Sequence, residues 1–270
     1  MTTLSTAHFE LAVDLERGAK ITSLKDSTGY EWLAQAVPGA VPVAGTKFTD
    51  AEMSGWDECA PTIEECLVDG VQIPDHGDVW DQEFTGSAAH AHIKRDELGF
   101  TFERSITEVA EGIHLSYRAT ALRERVPFLW AAHPQFSAPP GTRVELGECL
   151  IVDIWEPVSE PRPPQAADAT IDTLSDGQCR KWYVSPAEPV FAASLVKADG
   201  RSLDLSWSAS CPYVGVWFDH ALHSREPVIA IEPSIGYYDS LDRAVALDRV
   251  AYLAPREPLE WWVEIRATHK

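Results

Sequence analysis

Positive charge is what this sequence has least of. Only 22 Lys and Arg stand against 42 Asp and Glu in 270 residues, a formal net charge of −20. A field of that sign repels nucleic acid and anionic membranes. No Lys or Arg occurs between Phe48 and Ile93, so that stretch offers a phosphosugar little help. Cysteine pairing is missing as well: the five Cys, at 59, 66, 149, 179 and 211, form no C-x-x-C, which argues against a zinc ribbon and leaves reduced, structural thiols as the expectation. No apolar run approaches membrane-spanning length, and Met1-Thr2-Thr3-Leu4-Ser5 lacks a basic-then-apolar leader pattern. A cytoplasmic protein is therefore expected. There is no G-x-S-x-G elbow for serine-based hydrolysis. Helical periodicity is nearly absent; only Ser240 to Asp248, with Leu241, Ala244, Val245 and Asp248 at a rough 3.6 spacing, reads as a short helix.

What is present is alternation of period two, which places successive side chains on opposite faces of a strand. Phe9, Leu11, Val13 and Leu15 alternate with polar residues, as do Leu115, Tyr117, Ala119 and Ala121, then Leu203, Leu205 and Trp207, and finally Leu259, Trp261, Val263 and Ile265. Turn signals separate these runs, among them Arg17-Gly18, Glu111-Gly112, Pro139-Pro140-Gly141, Asp176-Gly177 and Asp199-Gly200. Ala254 to Pro258 reads as a hairpin loop between Val250–Leu253 and Leu259–Ala267, and Pro157 to Pro164 as a long surface loop. Hydrophobic residues make up 45% of the chain, with ten Trp, enough to fill a core and leave one or two indoles for stacking on a sugar ring. The pattern predicts an all-β protein, a large antiparallel sandwich built as one domain over residues 1–270.

Five segments could carry chemistry. In Trp130-Ala131-Ala132-His133-Pro134 an apolar strand runs into a His that precedes Pro, which predicts His133 at a strand end, either facing a cleft or capping the strand by hydrogen bonding. In Ala230-Ile231-Glu232-Pro233 a carboxylate ends an apolar run. Burial there would raise its pKa toward a useful base, unless Glu232 is a salt-bridged residue at the sheet edge. Pro74-Asp75-His76-Gly77-Asp78-Val79-Trp80 sets His76 and two Asp beside an indole, Trp80, with Gly77 allowing close backbone approach; it reads equally as an Asx-rich loop. In Gly55-Trp56-Asp57-Glu58-Cys59-Ala60-Pro61, Asp57 could accept sugar hydroxyls or sit on a solvated loop. Tyr213-Val214-Gly215-Val216-Trp217-Phe218-Asp219 ends a strand in Asp219 with Trp217 on the same face. Nine His raise the question of metal, but neither His90 with His92 nor His220 with His223 is joined to a carboxylate at a metal-ligand spacing, so no metal or other cofactor is expected.

Taken in order, Gly-Trp-Asp-Glu-Cys-Ala-Pro, Pro-Asp-His-Gly, the His-Pro strand, Val-Trp-Phe-Asp and Ile-Glu-Pro resemble the galactose mutarotase-like superfamily, across residues 9 to 266. The resemblance implies a β-supersandwich and sugar C1 mutarotation, with His133 as general acid toward the ring oxygen and Glu232 as general base toward the anomeric hydroxyl. It implies His76 and Asp219 as hydroxyl or ring-oxygen partners. The sequence departs from galactose mutarotases in lacking their Asn-Arg and Leu-His-Gly-Gly segments, and from hexose-6-phosphate epimerases in carrying Val79 and Trp80 where those have an aromatic and an Arg. The expected ligand is thus a small neutral carbohydrate. A carbohydrate-binding module without catalysis, or a lyase or deglycosylating enzyme using the same His and Glu, are the alternatives.

Overall fold

In the computed structural model, which describes residues 1–37, 46–154 and 159–269, two large antiparallel sheets face one another. The nine-stranded sheet runs, in spatial order, Thr2–Ser5, Phe9–Asp14, Lys20–Asp26, Gly55–Cys59, Ala131–Ser137, Pro227–Ser234, Tyr213–His220, Gln178–Val184 and Ile151–Asp153. The eight-stranded sheet runs Arg143–Leu146, Ala192–Val196, Arg201–Trp207, Leu259–His269, Gly112–Ala121, Phe100–Val109, His90–Arg95 and Thr85–Gly86. Between them lies one continuous apolar core. The alternation in sequence is the alternation in burial: along Gly112–Ala121, residues Ile113, Leu115, Tyr117, Ala119 and Ala121 point inward, and the register with the last strand sets Tyr117 against Trp261, whose rings stack at 5.5 Å.

The short helix forms over Leu241–Ala246 and buries Leu241 and Ala244. No helix among the described residues is long and apolar enough to cross a membrane. All five thiols are free. The expected surface loop at Pro157 to Pro164 begins outside the described residues; its second part turns back so that Arg162 bridges to Ile151. Of the hairpin expected around Ala254 to Pro258 only the tight turn forms, closed by the Ala254–Glu257 bridge; the flanking segments do not pair with each other. Ala251–Leu253 pairs with Val126–Phe128 in a separate two-stranded sheet, while Leu259–His269 enters the eight-stranded one. Turn residues alone do not choose the strand's partner.

Two further expectations are corrected at the centre of the nine-stranded sheet. Neither Pro134 nor Pro233 ends its strand. Ala131–Ser137 continues through Pro134, which sits opposite Trp56, and Pro227–Ser234 continues through Pro233, opposite Val214. These two strands pair with each other at Ala131–Ser234 and again at Phe136–Ile229 and Ser137–Val228. The stretch between holds both prolines, neither of which has an N–H to give to a ladder. His133 and Glu232 lie within this stretch, interior to their strands.

Candidate active site

Period two decides which side chains can meet. On the inner face of the central strands stand core residues such as Trp56, Ala132, Phe136, Ile229, Ile231 and Val216. On the outer face one row of opposed positions crosses five strands: Tyr183, Gly215, Glu232, His133 and Asp57. The register that sets Ala131 against Ser234 and Phe136 against Ile229 brings His133 level with Glu232. Two residues along, Lys181, Trp217 and Gln135 occupy the same face.

Loops cover this face. The backbone N–H groups of Ile63 and Glu64 donate to Asp239 O at 2.8 and 2.7 Å, stitching the segment before His76 to the segment after Glu232. His76 itself has φ of 62°, a left-handed conformation costly for a side-chain-bearing residue, and Gly77 follows at φ of 80°. A Cβ at Gly77 would lie 2.0 Å from Ala60 O, so the close approach expected of this glycine is real, and only glycine permits it. The ring of His76 is clamped face to face on Phe48, centroids 3.5 Å apart, and stands edge-on to His133 at 5.2 Å. Its Nδ1 lies 3.1 Å from Asp75 Oδ2, and burial holds its pKa below the usual imidazole value.

The result is a cavity of about 210 Å³ lined by His76, His133, Lys181, Trp217, His223 and Asp239, with Thr49, Met53, Ile63, Glu64 and Asp75 at its other walls. At its floor His133 Nδ1 and Glu232 Oε1 are 2.7 Å apart. Glu232 Oε2 forms an ion pair with Lys181 Nζ at 2.6 Å; Lys181 also donates to Asp239 Oδ1 at 2.6 Å, and Tyr183 OH donates to that same oxygen at 2.8 Å. Burial alone would push the Glu232 carboxyl up, as the sequence suggested. The Lys181 ammonium and the His133 hydrogen bond outweigh it and hold the carboxyl down at about 2. The expected raised pKa is thereby reversed by a cation that sequence reasoning did not single out. Lys181, Asp239, Gln135 and Phe48 were all missed, and His223 was weighed only as a metal ligand. The available signal was a lysine running directly into two aromatics and a valine, Lys181-Trp182-Tyr183-Val184.

Of the residues singled out in the sequence, His76, His133 and Trp217 line the cavity and Glu232 lies directly beneath it. Trp80 lines an adjoining groove of about 610 Å³, which shares Thr49, Glu64 and Asp75 with the cavity, and stands edge-on to Phe48. Asp57 is turned elsewhere. It belongs to a fully buried strand, not a solvated loop, and pairs with the equally buried Lys20 at 2.9 Å. Asp219 is also committed: its two oxygens accept from the backbone N–H groups of Leu222, His223 and Ser224 and from Ser224 Oγ, closing the turn that follows its strand. Neither carboxylate lines the cavity.

Cys59, His76 and His133 have ligand atoms within 4.8 Å of one another and are the candidate metal group among the described residues. His133 Nδ1 is held by Glu232 and its Nε2 lies 2.9 Å from Gln135 Nε2, so an ion would have to displace one of these partners. Burial, with Glu232 and Asp57 nearby, also pushes the Cys59 thiol well up, away from the thiolate a metal requires.

No family model and no curated protein matches the sequence. Solved structures do match. A protein of Escherichia coli K12 named as a candidate aldose 1-epimerase superposes with a TM-score of 0.75 at 16% identity, covering 100% of this chain and 99% of its own. A galactose mutarotase-like protein from Lactobacillus casei gives 0.71 at 18% identity, with 99% and 100% covered. A galactose mutarotase-like protein from Clostridium acetobutylicum gives 0.73 at 13% identity, with 99% and 95% covered. The chain has the galactose mutarotase-like fold. A fold hosts many chemistries, so what this one does has to be argued from the cavity.

Proposed function

We propose that the chain is an isomerase of the aldose 1-epimerase type that interconverts the anomers of a neutral sugar through His133 and Glu232. One observation carries the reading: an imidazole and a carboxylate from adjacent central strands, 2.7 Å apart and both buried, form the floor of a sugar-sized cavity walled by His76 and Trp217. Trp217 offers an indole face to the C–H side of a pyranose, and Glu64, Asp75 and His223 offer partners for hydroxyls. Lys181, the one ammonium among the described residues of the cavity wall, is already held by two carboxylates, which leaves it little to offer a phosphate or a uronate.

The proton inventory then follows. Glu232 is ionised, and for His133 to act as an acid both its ring nitrogens must carry hydrogen. As placed, the Gln135 amide turns its N toward His133 Nε2 and leaves Oε1 buried without a partner. Turned end for end, its Oε1 accepts from the Nε2–H of an imidazolium and the orphan acceptor is satisfied. A bound hemiacetal would part the pair. Its anomeric O–H donates to Glu232 and its ring oxygen accepts from His133. Proton transfer to the carboxylate, cleavage of the bond between C1 and the ring oxygen, and proton transfer from the imidazolium give an open-chain aldehyde above a neutral acid and a neutral imidazole. Rotation about C1–C2 and the reverse steps give the other anomer.

NMR exchange between α- and β-anomers over a panel of free aldoses tests this. The expected result is acceleration of at least one neutral sugar, lost in Glu232→Gln and His133→Ala, with hexose phosphates and uronic acids untouched. Acceleration that survives either substitution removes the pair assignment. The direct His133–Glu232 bond favours one second reading, a module that binds sugar without parting the pair; it predicts saturable binding with exchange at the solvent rate. A change in product mass would point instead to a lyase.

A further inference from the structure

Glu232 has a second partner that the acid–base pair does not use, and reaching it takes an unusual local arrangement. Lys181 is not on a strand adjacent to that of Glu232; the strand Tyr213–His220 lies between them. The residue to be crossed is Gly215, opposite both Tyr183 and Glu232. Its φ is not in the left-handed region, so the backbone does not ask for glycine here. The reason is space: a Cβ at Gly215 would sit 3.2 Å from Lys181 Cε and 3.1 Å from the Tyr183 ring. The missing side chain is the channel through which the lysine stem and the tyrosine ring pass over the intervening strand.

We infer that Lys181 is a positioning residue for Glu232, an ammonium led across Gly215 to that carboxylate beneath the cavity and itself held by Asp239, which Tyr183 holds in turn. The inference deepens the reading of Glu232 as the base. Its geometry is specific: Lys181 Nζ lies 2.6 Å from Asp239 Oδ1 and 2.6 Å from Glu232 Oε2, so one ammonium bridges the two carboxylates. The ammonium occupies Oε2 and leaves Oε1, the oxygen facing His133, to the acid–base pair. The charges also balance. Glu232, Asp239, Lys181 and a protonated His133 sum to zero, and once Glu232 has gained a proton and His133 has lost one they sum to zero again, so turnover strands no net charge in a buried site. The other groups facing Glu232 do not supply its counter-charge. Burial keeps the Cys59 thiol and the Tyr183 phenol neutral, Asp57 is matched by Lys20, and Glu64, Asp75 and the neutral His76 stand farther out along the cavity wall.

The test is a titration of the Glu232 carboxyl by carbon NMR in the full chain, assigned with Glu232→Gln, alongside the acid limb of kcat/KM. In Lys181→Met both should move up by about one to three pH units. Lys181→Arg should keep them low, and Gly215→Ala, which displaces the stem by a few tenths of an ångström, should move them part of the way. An unmoved titration in folded Lys181→Met overturns the inference, as does an unmoved titration in Gly215→Ala if Lys181→Met does not fold. The carboxyl signal needs no turnover. If it shifts in a protein that accelerates no anomer exchange, the positioning role stands and the isomerase reading fails; if exchange depends on Glu232 but the signal does not shift, the reverse holds.

Discussion

Two glutamates in this protein are equally hidden from water and behave in opposite ways. Glu58 and Glu232 are each 1% exposed, and each contacts a cation. Glu58 points into the sandwich, where Arg104 Nη1 donates to it at 2.8 Å, Trp130 Nε1 at 2.8 Å and Tyr117 OH at 3.2 Å. Burial nonetheless wins and its carboxyl is pushed up. Glu232 points out of the sandwich under the cavity, and its carboxyl is held down at about 2. Desolvation acts on both in the same direction, so the difference lies in the partners. Glu58 has one guanidinium, shared with Ala19 O, and two neutral donors, whereas Glu232 has an ammonium and an imidazole. Burial by itself does not set how an acid titrates; the number and kind of partners around it do.

The comparison breaks most visibly by substitution. Glu232→Gln should lose about 10²–10⁴-fold in anomer exchange, the worth of one acid–base partner, with the fold intact by circular dichroism. Glu58→Gln should do the opposite. Gln still offers Arg104 an acceptor but not a charge, and because burial already favours the uncharged acid, the loss in denaturant unfolding should stay within about 1–3 kcal/mol, while the fraction that folds keeps its rate. If Glu58→Gln were as inactive as Glu232→Gln but equally stable, the division into structural and reactive acid would be wrong.

Acid titration of stability separates the two more finely. Glu232 titrates lower in the folded chain than its ordinary 4.5, so its contribution is full above pH 4.5 and lost as pH falls toward about 2, on the order of 3 kcal/mol across that window. Glu58 titrates higher when folded, so its contribution is full below 4.5 and lost as pH rises through the folded value. Unfolding free energy measured against pH should therefore flatten at the acid end in Glu232→Gln, and only there. In Glu58→Gln the change of slope belongs above pH 4.5.

The contrast also explains how much could be read from sequence. The sandwich was legible because alternation such as Leu115-Tyr117-Ala119 is imposed directly by the pleat. His133, Glu232, His76 and Trp217 were legible because they sit beside prolines, a glycine or a long apolar run that mark them out locally. The Lys181 contact was not. It depends on Gln178–Val184 lying in register beside the later pair Tyr213–His220 and Pro227–Ser234, and on Gly215 lacking a side chain at the crossing, and no local pattern encodes a register. The strand ends assigned at Pro134 and Pro233 failed for a related reason: a proline forbids one hydrogen bond, and a central strand can spare that bond where its neighbour also has a proline.

The smallest effect concerns Asp219, which shares the outer face with Glu232 but does not line the cavity. Its carboxylate accepts from three backbone N–H groups in a turn where Ala221 is held at φ of 61°, and that turn carries His223 to the cavity wall. In Asp219→Asn an amide N–H₂ faces those donors, which should lower stability by about 1–3 kcal/mol. Because His223 rides on the turn, KM should rise, while kcat stays within about twofold because no group of the acid–base pair has moved. A carboxylate bonded directly to sugar hydroxyls would behave differently, losing most of its effect in binding with no change in unfolding. Measuring stability and KM on the same variant decides which description of Asp219 holds.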